Sequence, residues 1–458
     1  MVKERARILV VGGGYVGMYT ALRLQRRLKQ ELARGEAEIT VVSPDPYMTY
    51  QPFLPEAAAG SISPRHVVVP LRRVLPQCRV VIGEATAIDH AKRTATLTTL
   101  ATEEEGTGTE QLSYDELVLA PGSISRTLPI PGLAEHGIGF KTVEEAIGLR
   151  NHVIEQMDIA SSTRDPAIRD AALTFVFVGG GYAGVEALGE LEDMARYAAR
   201  YYHNVRPEDM KWILVEASDR ILPEVGEDMG RYTVTELRRR NIDVRLHTRL
   251  ESCTDRVAVL SDGARFPTRT VVWTAGVKPH PILAATDLPL NGRGRLKCTP
   301  ELTIEGTTHA WAAGDAAAVP DVTAGEGKEC APNAQHALRQ AKVLGDNIAH
   351  ALRGEPLETY AHKYAGSVAS LGFHQGVAHV YGRKLKGYPA WFMHRVYHLS
   401  RVPTFNRKAR VLAEWVLSGL FKREIVSLGS LEHPRAEFEL AAGGKHPLNP
   451  EDDPKGSS

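Results

Sequence analysis

The 458-residue sequence has few cysteines, no long hydrophobic runs and no net charge. Its four cysteines, at positions 78, 253, 298 and 330, are too few and too scattered for a secreted disulfide framework. No segment approaches the roughly 20 consecutive apolar residues that span a bilayer. The 55 basic residues equal the 55 acidic residues, so the overall charge does not favour nucleic-acid binding. These absences favour a soluble-bodied, multidomain protein of a reducing compartment.

One motif occurs twice in the chain. Apolar runs at 7–11 and 173–178 are each followed by G-x-G-x-x-G and then by a helical pattern. In this context the first glycine permits a tight turn, the second lets the backbone approach a pyrophosphate, and the third packs the helix on its strand. The repeat therefore predicts two dinucleotide-binding units, each with three candidate cofactor-binding glycines. These are Gly12, Gly14 and Gly17 in the first unit, and Gly179, Gly181 and Gly184 in the second.

The second strand of each unit predicts which nucleotide binds. In the second unit this strand ends at Glu216, whose carboxylate can accept both ribose hydroxyls and would repel a 2′-phosphate, so NAD is favoured over NADP. Arg220 lies four residues further on and would offset part of that preference. In the first unit the strand ends at Ser43-Pro44-Asp45. Either Ser43 or Asp45 can contact the ribose, and a simple turn explains the same residues equally well.

Three further apolar segments end in small residues. They contribute the candidates Ala120 and Gly122 (117–123), Gly276 (271–276), and Gly314 with Asp315 (311–315). After two dinucleotide-binding units, an aspartate that opens a helix can reach the ribityl hydroxyls of a flavin, while the helix N-terminus faces its pyrophosphate.

The order of these motifs resembles the two-dinucleotide-binding-domain flavoproteins, and within them the type II NADH:quinone oxidoreductases. The resemblance extends to about residue 430 and includes Tyr50-Gln51-Pro52-Phe53-Leu54 and the segments 140–153, 215–223, 331–348 and 366–372. It implies FAD and NAD(H) as cofactors, with Gln51 and Pro52 near the isoalloxazine. Where that family usually has Tyr-Gln, this chain has Pro55-Glu56, and Arg339 replaces the first residue of a glutamine pair.

The resemblance also implies the architecture. We expect an α/β fold with two Rossmann-like domains, in which the FAD domain (1–135 and 291–380) is split by an inserted NAD(H) domain (136–290). A C-terminal amphipathic helical module and tail occupy 381–458. The expected location is the cytoplasmic face of the cell membrane, as a peripheral protein.

Three residues are candidate catalytic groups. Glu186 and Glu190 are four residues apart after the second glycine motif, so they share one helix face. The resemblance places Glu190 beside the nicotinamide and flavin, and makes Glu186 a cofactor contact; two solvated helix acids are the alternative. Gln335 would hydrogen-bond a quinone carbonyl or the flavin, or simply open its helix. Glu56 would relay protons to a reduced quinone, or face solvent.

The C-terminal region concentrates positive charge. Residues 383–423 contain ten Lys or Arg and one acid, a local net charge of +9. Two helical patterns at 388–400 and 405–423 carry Trp and Phe on apolar stripes, which is typical of helices that lie in the plane of an anionic membrane. Packing on the body of the protein, or on the partner in a homodimer, is the alternative.

The favoured function is electron transfer from NADH through FAD to a membrane quinone, without proton pumping. The alternatives are a soluble NAD(P)H-dependent ferredoxin- or rubredoxin-type reductase and a non-catalytic NADH-sensing flavoprotein. A sulfide:quinone reductase is disfavoured because no cysteine occurs between residues 79 and 252. We expect neither a metal site nor a nucleic-acid partner.

Overall fold

The computed structural model describes residues 5–427 except 105, 107, 326, 363–365, 373, 422 and 424. The tail of the C-terminal module, and Lys422 within its basic segment, lie outside the described residues.

The first large sheet has five parallel strands and two antiparallel strands at one edge. Its register pairs Ile8 with Ile39 on one side and with Glu116 on the other. One edge strand comes from far along the chain, after the whole second sheet. In spatial order the strands are Ala310–Ala312, Glu116–Leu119, Ala6–Val11, Ala37–Ser43, Arg79–Asp89, Thr94–Thr99 and Glu110–Ser113.

The second large sheet is entirely parallel. Its strands, in spatial order, are Gly137–Gly139, Thr270–Trp273, Thr174–Val178, Lys211–Val215 and Ile242–Arg245. An antiparallel pair, Ser123–Ser125 with Val277–Pro279, lies at the two crossings between the large sheets. Two sheets built largely of parallel strands with helical crossovers confirm the predicted α/β fold class. The domain boundaries stay predictions.

The remaining strands of the described residues form small sheets. Leu250–Ser252, Val257–Leu260 and Arg265–Pro267 form an antiparallel sheet, as do Gly366–Ser370, Gly376–Val380 and Arg383–Lys386. Tyr47–Thr49 pairs with Val68–Pro70, and Leu296–Lys297 with Ala317–Ala318.

Side-chain caps mark the starts of two long helices. Thr142 and Glu145 form a reciprocal capping box, and the Asn333 side chain accepts from the His336 N–H at the start of a long helix that ends at left-handed Gly354. The α-helices are Tyr15–Arg27, Lys29–Ala33, Leu54–Ala58, Pro64–Val67, Leu71–Val74, Leu100–Glu104, Leu133–His136, Val143–Ser162, Pro166–Ala172, Tyr182–Ala198, Glu227–Arg239, Ala334–Arg353, Tyr388–Arg401 and Phe405–Leu420. Single 3-10 turns occur at Gln51–Phe53, Ala199–Tyr201, Pro207–Asp209, Pro223–Val225, Thr254–Arg256, Pro281–Ala285 and Gly314–Ala316.

The structure corrects one local expectation. Asp315 does not open an α-helix: it lies in the single 3-10 turn Gly314–Ala316, which runs directly into a short strand. The helix that packs here begins later, at Ala334, and its buried Gln340 side chain accepts the Gly314 N–H at 2.8 Å. A tight turn with Gly314 at φ +69° thus replaces the expected helix N-terminus.

The two C-terminal helices differ in position. We call Tyr388–Arg401 the inner helix and Phe405–Leu420 the outer helix. The inner helix packs on the antiparallel sheet of residues 366–386 and buries four residues, whereas the outer helix buries only Val411. Among the described residues, no helix is long and apolar enough to cross a membrane.

Candidate active site

Two adjoining cavities lie between the large sheets and the C-terminal elements. The larger has a volume of about 630 Å³ and the smaller about 570 Å³. Six residues line both, including Tyr15, Gln51, Lys141 and Asp315, so the cavities form one continuous site. A continuous site of this volume, with both polar and apolar lining residues, is suited to a dinucleotide.

The first glycine motif forms one wall of the smaller cavity. Gly12 has φ +108°, and a Cβ there would lie 2.2 Å from the Ala120 carbonyl oxygen. A Cβ on Gly17 would lie 1.7 Å from the Gly12 oxygen, so only glycine allows this helix to pack on its strand. By contrast, no heavy atom lies within 4 Å of a Cβ built on Gly14, which leaves its backbone open to a ligand. The geometry matches the role predicted for each glycine.

The candidates Ser43, Asp45, Ala120 and Gly122 all line the smaller cavity, as do the acids Glu84 and Glu144. Neither ribose candidate is therefore eliminated. Burial is the main reason that the pKa of Asp45 is raised, and the nearby negative charges of Glu144 and Glu84 raise it further. Both Ser43 and Asp45 therefore remain candidates for the ribose contact.

A polar chain marks the junction of the two cavities. The Ser123 hydroxyl donates to Asp315 at 2.6 Å, and the Lys141 ammonium donates to Ser123 at 2.7 Å. Burial lowers the pKa of Lys141, although the charges of Asp315 and Glu145 oppose that effect. The Asp315 carboxylate is thus held in place at the point where both cavities meet. Lys141 was not among the predicted site residues, although it lies within segment 140–153.

The second glycine motif repeats the geometry of the first beside the larger cavity. Gly179 has φ +116°, and a Cβ on Gly184 would lie 2.0 Å from the Gly179 oxygen. A Cβ on Gly181 has no neighbour within 4 Å, as at Gly14. Glu216 accepts the Gly180 N–H at 2.6 Å and the Ser218 N–H at 2.7 Å, so its carboxylate is tied directly to this loop.

The larger cavity brings together most of the residues predicted to act near the flavin. Gln51, Pro52, Glu186, Gly276 and Gln335 line it, together with the departing residue Arg339. The Gln335 amide donates to the Gly366 carbonyl at 3.2 Å, and its oxygen lies 3.0 Å from His362 Nε2. Arg339 donates to the Gln335 backbone carbonyl at 2.9 Å.

The other two catalytic candidates lie behind the cavity wall. Glu190 is fully buried, and one of its oxygens accepts the Ser370 hydroxyl at 2.8 Å. Burial, followed by the charge of Glu56, raises the pKa of Glu190 to about 7, against the lowering effect of Arg395. Glu56 is also buried, so the solvent-facing alternative is wrong for it. Its carboxylate accepts from Trp415 Nε1 at 2.7 Å and lies 3.4 Å from Arg395.

Glu186 is the acid of this helix that reaches the cavity. Its carboxylate accepts the Ser370 N–H at 2.9 Å and lies 3.2 Å from His394 Nε2. Both Glu186 and Glu190 are buried, which overturns the alternative of two solvated helix acids. Ser370 contacts both carboxylates, so one residue of the C-terminal sheet joins the cavity wall to the buried acid behind it.

The inner helix supplies residues that the sequence analysis missed. His398 lines the cavity, and its Nδ1 lies 3.1 Å from the Tyr50 hydroxyl. Burial holds the pKa of His398 well below its usual value, so this imidazole is neutral. Arg395 is buried, with its guanidinium over the rings of Trp391 at 4.3 Å and Trp415 at 4.8 Å. The spacing 391, 395, 398 on one helix face was the available signal, but the predicted apolar stripe included Trp391 and neither Arg395 nor His398.

The predicted apolar stripes divide between interior and surface. Trp391 and Val411 are buried, and Leu399 and Trp415 pack against the core. The other six residues of the two stripes are exposed: Phe392, Val396, Phe405, Leu412, Val416 and Leu420. Some of the +9 charge is also locally paired, since Lys384 contacts Asp228 at 2.8 Å and Arg423 contacts Asp193 at 2.9 Å.

All four cysteines are free thiols. Burial raises the pKa of Cys330 to about 11, with a further contribution from Asp321, so this thiol is protonated. Donor atoms of Cys330, Asp321 and His336 lie within 4.8 Å of one another, a grouping that the sequence analysis did not foresee. The His336 ring is hydrogen-bonded to the Tyr360 hydroxyl at 2.9 Å, which accounts for one of its nitrogens.

Comparisons with known proteins agree with this geometry. The family described as pyridine nucleotide-disulphide oxidoreductase matches residues 6–341. The chain is 31% identical over 402 residues to a protein of Staphylococcus epidermidis named type II NADH:quinone oxidoreductase, with 86% of this chain and 95% of that protein covered. The protein of the same name from Staphylococcus aureus is also 31% identical, with the same coverage.

Solved structures show the same fold. A structure of NDH2 from Plasmodium falciparum in complex with NADH superposes with a TM-score of 0.83, covering 92% of this chain and all of that one, at 16% identity. The sulfide:quinone oxidoreductase of Aquifex aeolicus gives a TM-score of 0.68 at 17% identity, covering 92% and 96% of the two chains.

Proposed function

The chain belongs to the type II NADH:quinone oxidoreductases of the pyridine nucleotide-disulphide oxidoreductase family, and from this premise we propose that it passes electrons from NADH through FAD to a membrane quinone, without pumping protons. The observation that carries the proposal is the continuous double cavity, which has one glycine motif in its wall and the second beside it.

The residues of the smaller cavity fit a bound FAD. The open backbone at Gly14 and the turn at Gly12 support contact with its pyrophosphate, because glycine alone leaves that space free. Asp315, fixed by Ser123, supports contact with the ribityl chain, and Gln51 and Pro52 support contact with the ring system. When bound, the flavin accepts hydride from NADH and passes two electrons onward.

The second glycine motif and Glu216 support binding of NAD(H). Glu216 lies at the end of its strand and is held by two backbone N–H groups. An ionised carboxylate at this position would accept the ribose hydroxyls and repel a 2′-phosphate. Replacing it with Gln should therefore reduce the preference for NADH over NADPH, measured as the ratio of the two kcat/KM values. An unaltered ratio would show that Glu216 does not set the preference.

Glu186, Gln335 and Arg339 support quinone binding in the larger cavity. Their side chains give this largely apolar space a few polar contacts for a quinone carbonyl. We assign Glu190 and Glu56 to proton storage behind the wall. Their burial separates them from bulk water, and Ser370 connects Glu190 with the cavity-lining Glu186.

We further propose that the protein works at the cytoplasmic face of the cell membrane as a peripheral protein, with the outer helix against the lipid. The exposed Phe405, Leu412, Val416 and Leu420 lie on that helix among basic residues, a combination that suits an anionic surface. A homodimer would compete for the same exposed residues.

Two half-reactions test the main proposal. NADH should bleach the yellow colour of the purified protein within the mixing time, and a short-chain quinone should restore it. Reoxidation by ferredoxin or rubredoxin, but not by quinone, would favour the soluble-reductase alternative. Bleaching over minutes would favour the NADH sensor. Liposome flotation with and without anionic lipid tests the membrane contact, and sedimentation of the detergent-free protein tests the homodimer.

A further inference from the structure

A charged cluster lies entirely inside the protein, behind the wall of the larger cavity. Its members are Glu56 from a short helix, Glu190 from the helix after the second glycine motif, and Arg395 from the inner helix, with exposures of 1%, 0% and 6%. They are more than a hundred residues apart in sequence. Two carboxylates and one guanidinium would leave a net negative charge, and burying an uncompensated charge costs several kcal/mol. Since arginine stays protonated, a single proton on one carboxylate neutralises the cluster.

The contacts of the two carboxylates are unequal. Glu56 faces Arg395 at 3.4 Å and accepts from the Trp415 indole at 2.7 Å. Glu190 accepts only the Ser370 hydroxyl, at 2.8 Å. The second oxygen of each carboxylate has no hydrogen-bond partner in the described structure, so the two acids differ in the cation and the indole that only Glu56 contacts. Positive charge and an N–H donor stabilise an ionised carboxylate, so the ionised member should be Glu56.

We infer that Arg395 is a positioning residue that pairs with Glu56 so that the cluster holds a single proton, and holds it on Glu190. The stacking of its guanidinium between the Trp391 and Trp415 rings fixes the cation in place. Other charged groups reinforce the assignment. Asp193, on the helix of Glu190, adds negative potential that its ion pair with Arg423 partly offsets. His394, on the inner helix, contacts Glu186 instead.

One stored proton is the number that the proposed reaction needs, and in this respect the inference rests on the proposed function. Oxidation of NADH supplies two electrons and one proton as hydride, whereas a quinone must gain two electrons and two protons to form both O–H bonds of the hydroquinone. Glu190 would give up its proton, become a carboxylate and regain a proton from water before the next turnover. Ser370 and Glu186 connect Glu190 with the cavity.

Infrared spectroscopy of the flavin-loaded protein counts the stored proton without any acceptor. We expect a carboxylic-acid C=O band that disappears when the pH is raised through neutrality. In the natural protein its intensity should correspond to one protonated carboxylic acid, and in Glu190→Gln the band should be absent. Glu56→Gln should also lose it, because Arg395 would then pair with Glu190 and keep it ionised. Arg395→Met should gain a second group, and the double variant Glu56→Gln/Arg395→Met should return to one.

Kinetics give the second readout. In Arg395→Met, the pH dependence of reoxidation by a soluble quinone should shift to higher pH. The double variant should restore the natural profile, and Glu190→Gln should slow reoxidation by about 10²-fold. Bleaching by NADH should keep its rate in Arg395→Met. Arg295→Met is the matched control, because Arg295 is also buried and paired with a carboxylate, Glu329. In this variant, the carboxylic-acid C=O band and the pH dependence of reoxidation should both match those of the natural protein.

The inference is overturned if Glu56→Gln keeps the carboxylic-acid C=O band. It is also overturned if the double variant Glu56→Gln/Arg395→Met retains its flavin but behaves like Arg395→Met in its band and in the pH dependence of reoxidation. Failure of the proposed function would look different: the band pattern would hold while quinone left the reduced protein unchanged.

Discussion

The inner and outer helices have similar composition but different surroundings. Both are amphipathic, basic and Trp-bearing, yet the inner helix buries Trp391, His394 and Arg395 and lines the larger cavity. The outer helix keeps Leu412, Val416 and Leu420 at the surface and sends Val411 and Trp415 inward, and its Glu414 contacts His66. Basic, amphipathic character therefore does not identify a membrane anchor by itself. Within one segment it serves both to close an active site and to expose an apolar surface.

We expect the largest difference between the two helices when the same alanine-to-glutamate substitution is made on each and thermal stability is compared. Ala390 on the inner helix is fully buried, whereas Ala413 on the outer helix is exposed. Ala390→Glu would bury a charge without a partner, at a cost of several kcal/mol, and should lower flavin retention and the melting temperature severely. Ala413→Glu should change the free energy of unfolding by less than about 0.5 kcal/mol. Similar melting temperatures in thermal unfolding would contradict the assignment of inner and outer positions.

The next effect concerns the acid that both helices help to enclose. The raised pKa of Glu190 means that the folded protein binds a proton that the unfolded chain has lost, so stability falls as pH rises from the ordinary glutamate range to about 7. At pH values above 7 the accumulated loss is about 3 kcal/mol, from 1.36 kcal/mol per unit.

Glu190→Gln should remove this loss. The difference in unfolding free energy between variant and natural protein should therefore be more favourable above pH 7 than near pH 5, by up to that amount. Denaturant titrations at both pH values measure it, with Glu192→Gln as a control: Glu192 lies on the same helix but is paired with Arg196 and Arg240. Identical pH dependence of stability in Glu190→Gln and the natural protein would exclude the raised pKa.

A third effect tests the outer helix as a lipid contact. The side chains of Leu412 and Val416 are about half exposed, at 50% and 53%. Burying each half in lipid is worth about 1 kcal/mol, so Leu412→Ser/Val416→Ser should weaken liposome binding about 30-fold. Leu100→Ser, at a residue that is 65% exposed in another part of the fold, should leave binding unchanged. Equal effects would indicate general loss of hydrophobicity, and no effect would refute the contact.

Local patterns explain how much of this site could be predicted. The conformations of the first glycine motif could be predicted because the turn at Gly12, the open backbone at Gly14 and the tight packing at Gly17 are all properties of six consecutive residues. Ser43, Gln51, Gly276 and Asp315 also reach the cavities, and each of them lies at the end of a strand or shortly after it. The helix expected at Asp315 failed because a two-residue strand follows directly.

The buried cluster lay beyond the reach of sequence. Glu56, Glu190 and Arg395 belong to segments that only tertiary packing joins, and each alone resembles an ordinary surface charge. Hydrophobic periodicity gave a misleading prediction for the inner helix. Trp391 and Arg395 are four residues apart on one helix face, but Trp391 was assigned to an apolar stripe and Arg395 to the exposed basic charge. Lys141 and His398 were missed for the same reason: their side chains enter the site through long-range contacts with Ser123 and Tyr50.

The smallest expected effect is the difference in liposome affinity between neutralising a basic residue that is paired with an acid and neutralising one that is not. Lys384 contacts the Asp228 carboxylate at 2.8 Å, so Lys384→Gln removes a cation whose field that acid partly cancels. Arg410, on the outer helix, donates to neutral Asn406 at 3.0 Å and keeps its full charge. Each basic group near an anionic surface contributes about 1 kcal/mol. Arg410→Gln should therefore weaken binding to anionic liposomes about fivefold, and Lys384→Gln by less, with both differences disappearing at high salt. If the two variants lose the same affinity, pairing with Asp228 does not weaken the attraction of Lys384 to lipid, and the basic residues of 383–423 act together whatever their partners.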